Sequence, residues 1–152
     1  MIALSTIYYF ESETNMDIVL IVARILVAAM FIPSGINHLT KADAMKGYAQ
    51  FKKVPAPKLS VQLSGIIMVL GAASVVLGIY ADLGALLIAI FCLVSAFMMH
   101  NFWTIDDATA KQTETISFFK NLALAGAALI IFVLVGSGAD IGASITGAFF
   151  SL

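Results

Sequence analysis

Charge is scarce in this chain: 11% of its 152 residues are charged, 61% are hydrophobic, and the mean hydropathy is +1.03. A soluble domain carries about 25% charged and about 45–50% apolar residues, so a small soluble fold, which could not hide this much apolar surface, is excluded. Excess basic charge is absent too, with eight lysines and arginines against nine acidic residues. That balance gives no reason to expect a nucleic-acid partner, because phosphate binding needs clustered excess cations. Cysteine occurs once, at Cys92, which rules out an intramolecular disulfide and an internal dithiol relay. A small packed hydrophobe is its expected role. Histidine occurs only at His38 and His100, and no C-x-x-C-H or H-E-x-x-H pattern accompanies them, so no metal site is expected. Axial ligation of a haem by that pair is conceivable chemistry, but nothing in the spacing demands it. A basic n-region is also missing: Glu11, Glu13 and Asp17 precede the first apolar run, which is therefore expected to stay as a helix and not to be a cleaved signal peptide.

What the chain does have is apolar runs of the roughly 20 residues that a helix needs to cross a bilayer. They cover about 17–37, 59–80, 82–103 and 116–136. The expected fold is an all-α integral membrane four-helix bundle forming a single membrane domain over residues 1–152, with residues 1–15 as a short interfacial arm. Between the first two spans, Leu39, Ala42, Met45, Tyr48 and Phe51 recur every three residues among Lys41, Lys46, Lys52, Lys53 and Lys58. This pattern predicts an interfacial amphipathic helix over about 39–54 with its lysines among the lipid headgroups, broken by Pro55 and Pro57. Gly65, Gly71 and Gly78 mark the second span as a close-packing helix.

Counting lysines in short loops orients the bundle. The segment 38–58 carries five, the loop 104–115 carries Lys111, and the N-terminus, the turn at Asp82 and the glycine-rich tail carry none. The positive-inside rule then puts 38–58 and 104–115 in the cytoplasm and both termini outside.

Up-down threading brings the end of span one, the end of span three and the start of span four to one membrane face. His38, His100, Asn101, Trp103, Lys120 and Asn121 meet there as candidate ligand-binding residues. Polar groups kept at membrane depth usually face a bundle interior or cavity, and histidine titrates near neutrality. In this constellation His38 and His100 would hydrogen-bond a quinone carbonyl or relay protons, Phe102 and Trp103 would pack its ring, and Lys120 with Asn121 would fix a carbonyl. The competing assignment makes His38, Tyr48 and Trp103 interfacial anchors and lets Lys120 snorkel to the headgroups. Arg24 lies about 10 Å into the membrane at roughly 1.5 Å per residue from Asp17; a structural ion pair with Asp17 or Asp82 is expected, the alternatives being that it snorkels outward or holds a polar group in the bundle core. The proline at Pro33 is expected to kink or end the first helix; if the helix continues, Arg24, Phe31 and His38 share a face.

The Arg24 helix with its Phe31-x-x-x-Gly35 ending, Leu70-Gly71 through Leu77-Gly78-Ile79, His100-Asn101-Phe102-Trp103 and Phe118-Phe119-Lys120-Asn121-Leu122-Ala123 together resemble the DoxX family of small four-helix bacterial membrane proteins. The resemblance implies an inner-membrane location and redox association, since the family takes its name from relatives of a membrane thiosulfate:quinone oxidoreductase subunit and other members are linked with oxidative-stress complexes. It also implies a glutamate in the second helix, where this chain has Met68. Two functional expectations follow: a redox-associated subunit binding a quinone or similar hydrophobic ligand, or a non-catalytic accessory or scaffold subunit held by other membrane proteins; a small-solute carrier is a third class, disfavoured because the spans show few polar interior positions beyond Arg24 and no clear broken-helix pair. In both, membrane lipid is a partner.

Overall fold

The computed structural model describes residues 2–152, with side chains described from Asn15 onward. The interfacial arm expected over residues 1–15 therefore lies outside the fully described residues. Six α-helices follow one another: α1 (Ile2–Ala28), α2 (Phe31–Thr40), α3 (Ala42–Phe51), α4 (Pro57–Leu77), α5 (Ala81–Met99) and α6 (Ala108–Gly136), with a 3-10 turn at Phe102–Thr104 before α6. Among the described residues, four stretches are long and apolar enough to cross a membrane: Asn15–Thr40, Pro57–Leu77, Ala81–Thr104 and Ala108–Gly136.

The first span is broken at Ala29 and Met30, earlier than the sequence pattern predicts. Pro33 explains the displacement. It has no N–H to offer the carbonyl of Ala29, four residues before it, and its ring crowds that carbonyl. The ladder therefore opens one turn upstream, and Pro33 sits in the first turn of a new helix, where the missing donor costs nothing. The helix does not end there; α2 continues to Thr40 and carries His38.

The break redirects the chain. α1 packs against α4 and α6, whereas α2 lies along α4 and α3 and barely approaches α5 or α6. At the α2–α4 crossing Gly35 and Gly65 put backbone on backbone: a Cβ added to Gly35 would lie 2.8 Å from the Gly65 carbonyl oxygen, and one added to Gly65 would lie 2.9 Å from that of Gly35. The core between α1, α2, α4, α5 and α6 holds Phe31, Met68, Val75, Ile88 and Cys92 among alanines at 28, 72, 85, 89, 125 and 128. Cys92 is fully buried.

Two helix ends differ from expectation. α5 stops at Met99, with His100 as its C-cap, instead of running to residue 103. Phe102 and Trp103 turn out of line and pack edge-on against Phe118. α6 begins at Ala108, two turns before the expected 116, because the Asp107 carboxylate accepts the Ala110 N–H at 2.8 Å and caps its N-terminus; such a cap satisfies one of the orphan donors of a first turn.

Residues 137–152 fold back across the end of the bundle opposite α3. Gly78, with φ +63°, closes α4, and a Cβ there would collide with Ser144, 2.6 Å from its Cα. Its carbonyl accepts the N–H groups of Ile145 and Thr146, each at 3.0 Å. The expected Arg24 ion pair is corrected here. Its guanidinium donates to four carbonyls instead: Val75 at 2.9 Å, Val76 at 2.6 Å, and Ile141 and Ala143 at 2.9 Å each. Where α4 ends its last carbonyls lack helical donors, and the fork of a guanidinium matches several acceptors at once. Asp82, fully buried, takes the Phe149 and Phe150 N–H groups at 2.8 and 2.6 Å. Both charges thus anchor backbone.

Candidate functional site

Because α2 leans on α4 and away from α5 and α6, a cavity of about 480 Å³ opens among α2 to α6 at the lysine-rich end. Its walls are largely apolar, and five of the chain's seven methionines line it: Met30, Met45, Met68, Met98 and Met99. An unbranched thioether adapts to irregular apolar shapes, so this wall suits a flat or flexible hydrophobic body. Phe31 and Phe91, edge-to-face at 6.5 Å, also line it.

Four of the six expected residues stand on this wall: His38, His100, Lys120 and Asn121. The other two do not. Asn101 accepts a hydrogen bond from Lys52 Nζ at 2.8 Å. Trp103 is 52% exposed and packs against Phe97, Phe102 and Phe118 on the outside of the bundle. Both are displaced for one reason: the chain leaves the α5 axis at His100.

Each histidine has one ring nitrogen committed. Ser64 Oγ lies 2.7 Å from His38 Nδ1 and also reaches the Val61 carbonyl at 2.8 Å, so the hydroxyl ties that ring nitrogen to the α4 backbone. His100 Nδ1 meets Glu114 Oε2 at 2.7 Å, and the other carboxylate oxygen accepts from the Tyr48 hydroxyl at 3.1 Å. Both imidazoles are therefore oriented from behind and keep Nε2 without a partner among the described residues. Asn121, buried, donates to the Ser117 carbonyl at 2.9 Å.

Glu114 was not among the expected residues, and Tyr48 figured only as an anchor. The signal was present in the Asp107 cap followed by Glu114, Ser117 and Asn121, whose spacing of three and four places them on one helical face. The first two turns of α6 are polar, so the apolar run did not reach them. Among the described residues, no three His, Cys, Asp or Glu side chains converge as metal ligands.

Partial burial and the adjacent Glu114 carboxylate push the Tyr48 phenol up to about 12. A raised value means that the folded chain holds this proton more tightly than the unfolded one. The resulting stabilisation is complete below about pH 10 and is lost as pH rises through about 12. Ultraviolet titration should find one of the four tyrosines ionising well after the ordinary range, and Glu114→Gln should bring it down. Four normal tyrosines in the intact protein would overturn the assignment.

The DoxX family matches residues 19–101, more than half of the chain and most of the helices that wall the cavity. The chain belongs to the DoxX family. This DoxX chain is similar to inner membrane protein YphA of Escherichia coli (strain K12), with 29% identity over 136 residues that span 90% of this chain and 96% of that protein. It is similar also to inner membrane protein YqjF of the same organism, 28% identical over 123 residues, 81% of this chain and 88% of that one. No solved structure matches. Four apolar helices and these relatives make this DoxX protein a multi-pass inner membrane protein. The family match ends at Asn101, so Glu114, Lys120 and Asn121 lie beyond it.

Proposed function

We propose that this DoxX protein is a redox-associated membrane subunit that binds a quinone-like ring in the methionine-lined cavity and handles its protons. The observation that carries the reading is the pair of imidazoles on one apolar wall, each held through Nδ1, by Ser64 and by Glu114, with Nε2 left over. A neutral Nε2 accepts the proton of a quinol hydroxyl; once protonated, it donates to a quinone carbonyl. Lys120, an ammonium on the cavity wall, suits a carbonyl oxygen that gains negative charge on reduction. Reduction of a quinone takes two electrons and two protons. The imidazoles account for protons, and the electrons are assigned to another redox subunit.

The positive-inside rule assigns the cavity end to the cytoplasm, which would draw those protons from that side. A carrier reading fits less well, since the C-terminal segment is hydrogen-bonded across the opposite end of the bundle. A non-catalytic accessory role has one specific observation behind it: Met68, 2% exposed, is on the cavity wall where the family resemblance implies a carboxylate.

Trp103, the single tryptophan, offers a test. Titration of the detergent-solubilised chain with a short-tailed quinone should quench its fluorescence saturably. Lys120→Met and His38→Ala should each weaken the affinity by about tenfold or more, the worth of a hydrogen bond to a charged or buried group. Quenching that rises linearly with quinone partitioned into micelles, indifferent to both substitutions, would leave the accessory role.

A further inference from the structure

We propose that the rim formed by α3 and the turn into α4 is a binding site selective for anionic phospholipid headgroups. α3 shares Met45 and Tyr48 with the cavity wall, but the lysines of the rim are not among the residues that line it. Between residues 39 and 58 the chain carries Lys41, Lys46, Lys52, Lys53 and Lys58 against the single acid Asp43, five positive charges less one negative, or +4. This segment joins the end of the first span to the start of the second, which puts it at the edge of the bilayer. α3 turns Ala42, Met45 and Ala49 inward onto Val61 of α4, whereas Phe51 and Leu59 are 77% and 63% exposed. Those two side chains sink into the acyl boundary and set the lysines at headgroup level.

The lysines are also gathered. Lys58 Nζ lies 2.8 Å and Lys46 Nζ 3.7 Å from the Asp43 carboxylate. Two ammonium groups within reach of one carboxylate are within reach of one phosphate. A zwitterionic lipid would bring its own cation to this patch; an anionic one would not, and charge complementarity selects it.

A third observation concerns Lys53. It follows α3 in the left-handed region at φ +57°, with its own N–H bonded to the Gln50 carbonyl and the next N–H, of Val54, to that of Ala49. This is the position at a helix C-terminus that glycine fills most readily. The chain holds an exposed lysine there, a backbone cost that delivers a cation to the rim and which a role in packing does not account for.

The test uses the full chain in bilayer nanodiscs of equal phosphatidylglycerol and phosphatidylcholine, with retained lipid counted by mass spectrometry after gentle extraction. Phosphatidylglycerol should be retained preferentially. Each surface lysine is worth on the order of fivefold, so the variant carrying both Lys46→Gln and Lys58→Gln should lose tenfold or more of that preference, and Asp43→Asn should increase it. Lys53→Gly separates charge from fold: it should lose about fivefold in preference while melting at a higher temperature in pure phosphatidylcholine. Equal retention of the two lipids by the unaltered chain would overturn the proposal. So would an undiminished preference in Lys53→Gly.

Discussion

Replacement of Arg24 by alanine is expected to destabilise the protein by roughly 2–6 kcal/mol, the cost of two buried acceptors stranded at about 1–3 kcal/mol each. Arg24 is 4% exposed, and its guanidinium holds four carbonyl oxygens drawn from two segments, the last turn of α4 and the C-terminal stretch, which the Gly78 carbonyl also joins. Truncation strands Val75 and Val76 oxygens at a helix end in apolar surroundings, and each stranded acceptor costs on the order of 1–3 kcal/mol. The carbonyls of Ile141 and Ala143 lose their anchor at the same stroke. The expected readouts are a large fall in melting temperature in detergent and rapid proteolysis within residues 137–152, while α3 and the cavity end remain resistant. Arg24→Lys should fall between, since one ammonium cannot fork toward both segments. Asp82→Ala should free the same stretch from its far end, because the carboxylate holds the Phe149 and Phe150 N–H groups. An unchanged melting temperature together with a protected C-terminal stretch in Arg24→Ala would overturn this account.

Arg24 also marks where sequence reasoning stopped. Its depth in the first span was legible from the distance to Asp17, and so was the cost of leaving it unpaired. Its partners were not, because they are backbone carbonyls and any residue type supplies one. The four spans were legible for the opposite reason, since burial in hydrocarbon leaves an unmistakable run of apolar side chains. The amphipathic stretch after span one was legible from its period of three and became α3. The helix bounds failed where polarity hid them: Ala108 to Thr115 has no apolar run, yet the Asp107 cap starts α6 there. That single cap decides whether Glu114 is a loop acid or a helical residue aimed at His100. The methionine lining was hidden too, because its members come from the break before α2 and from α3, α4 and α5, and they meet only once the chain has bent at Ala29 and Met30.

Glu114→Gln tests the proton-handling half of the proposed function more severely than loss of any cavity-wall residue. The amide oxygen of glutamine still accepts from His100 Nδ1 while its NH2 donates to the Tyr48 hydroxyl oxygen, so the imidazole stays in place and the cavity keeps its shape. The negative charge that would stabilise an imidazolium at His100 is gone. In membranes containing the protein and the redox subunit proposed above, quinone-coupled turnover should therefore fall by about 10²–10⁴-fold, the usual contribution of a positioned acid–base group, with the apparent KM moving by less than about threefold. A drop confined to turnover removes an interaction made only as the proton moves, whereas a change confined to KM would mean that Glu114 merely shapes the site. Tyr48→Phe, which keeps carboxylate and imidazole paired, should cost less than about tenfold, the worth of one hydrogen bond. His100→Ala should abolish turnover altogether. If Glu114→Gln and His100→Ala both turn over like the unaltered protein while remaining folded, the cavity does no proton chemistry and the accessory reading, with Met68 where a carboxylate is implied, takes its place.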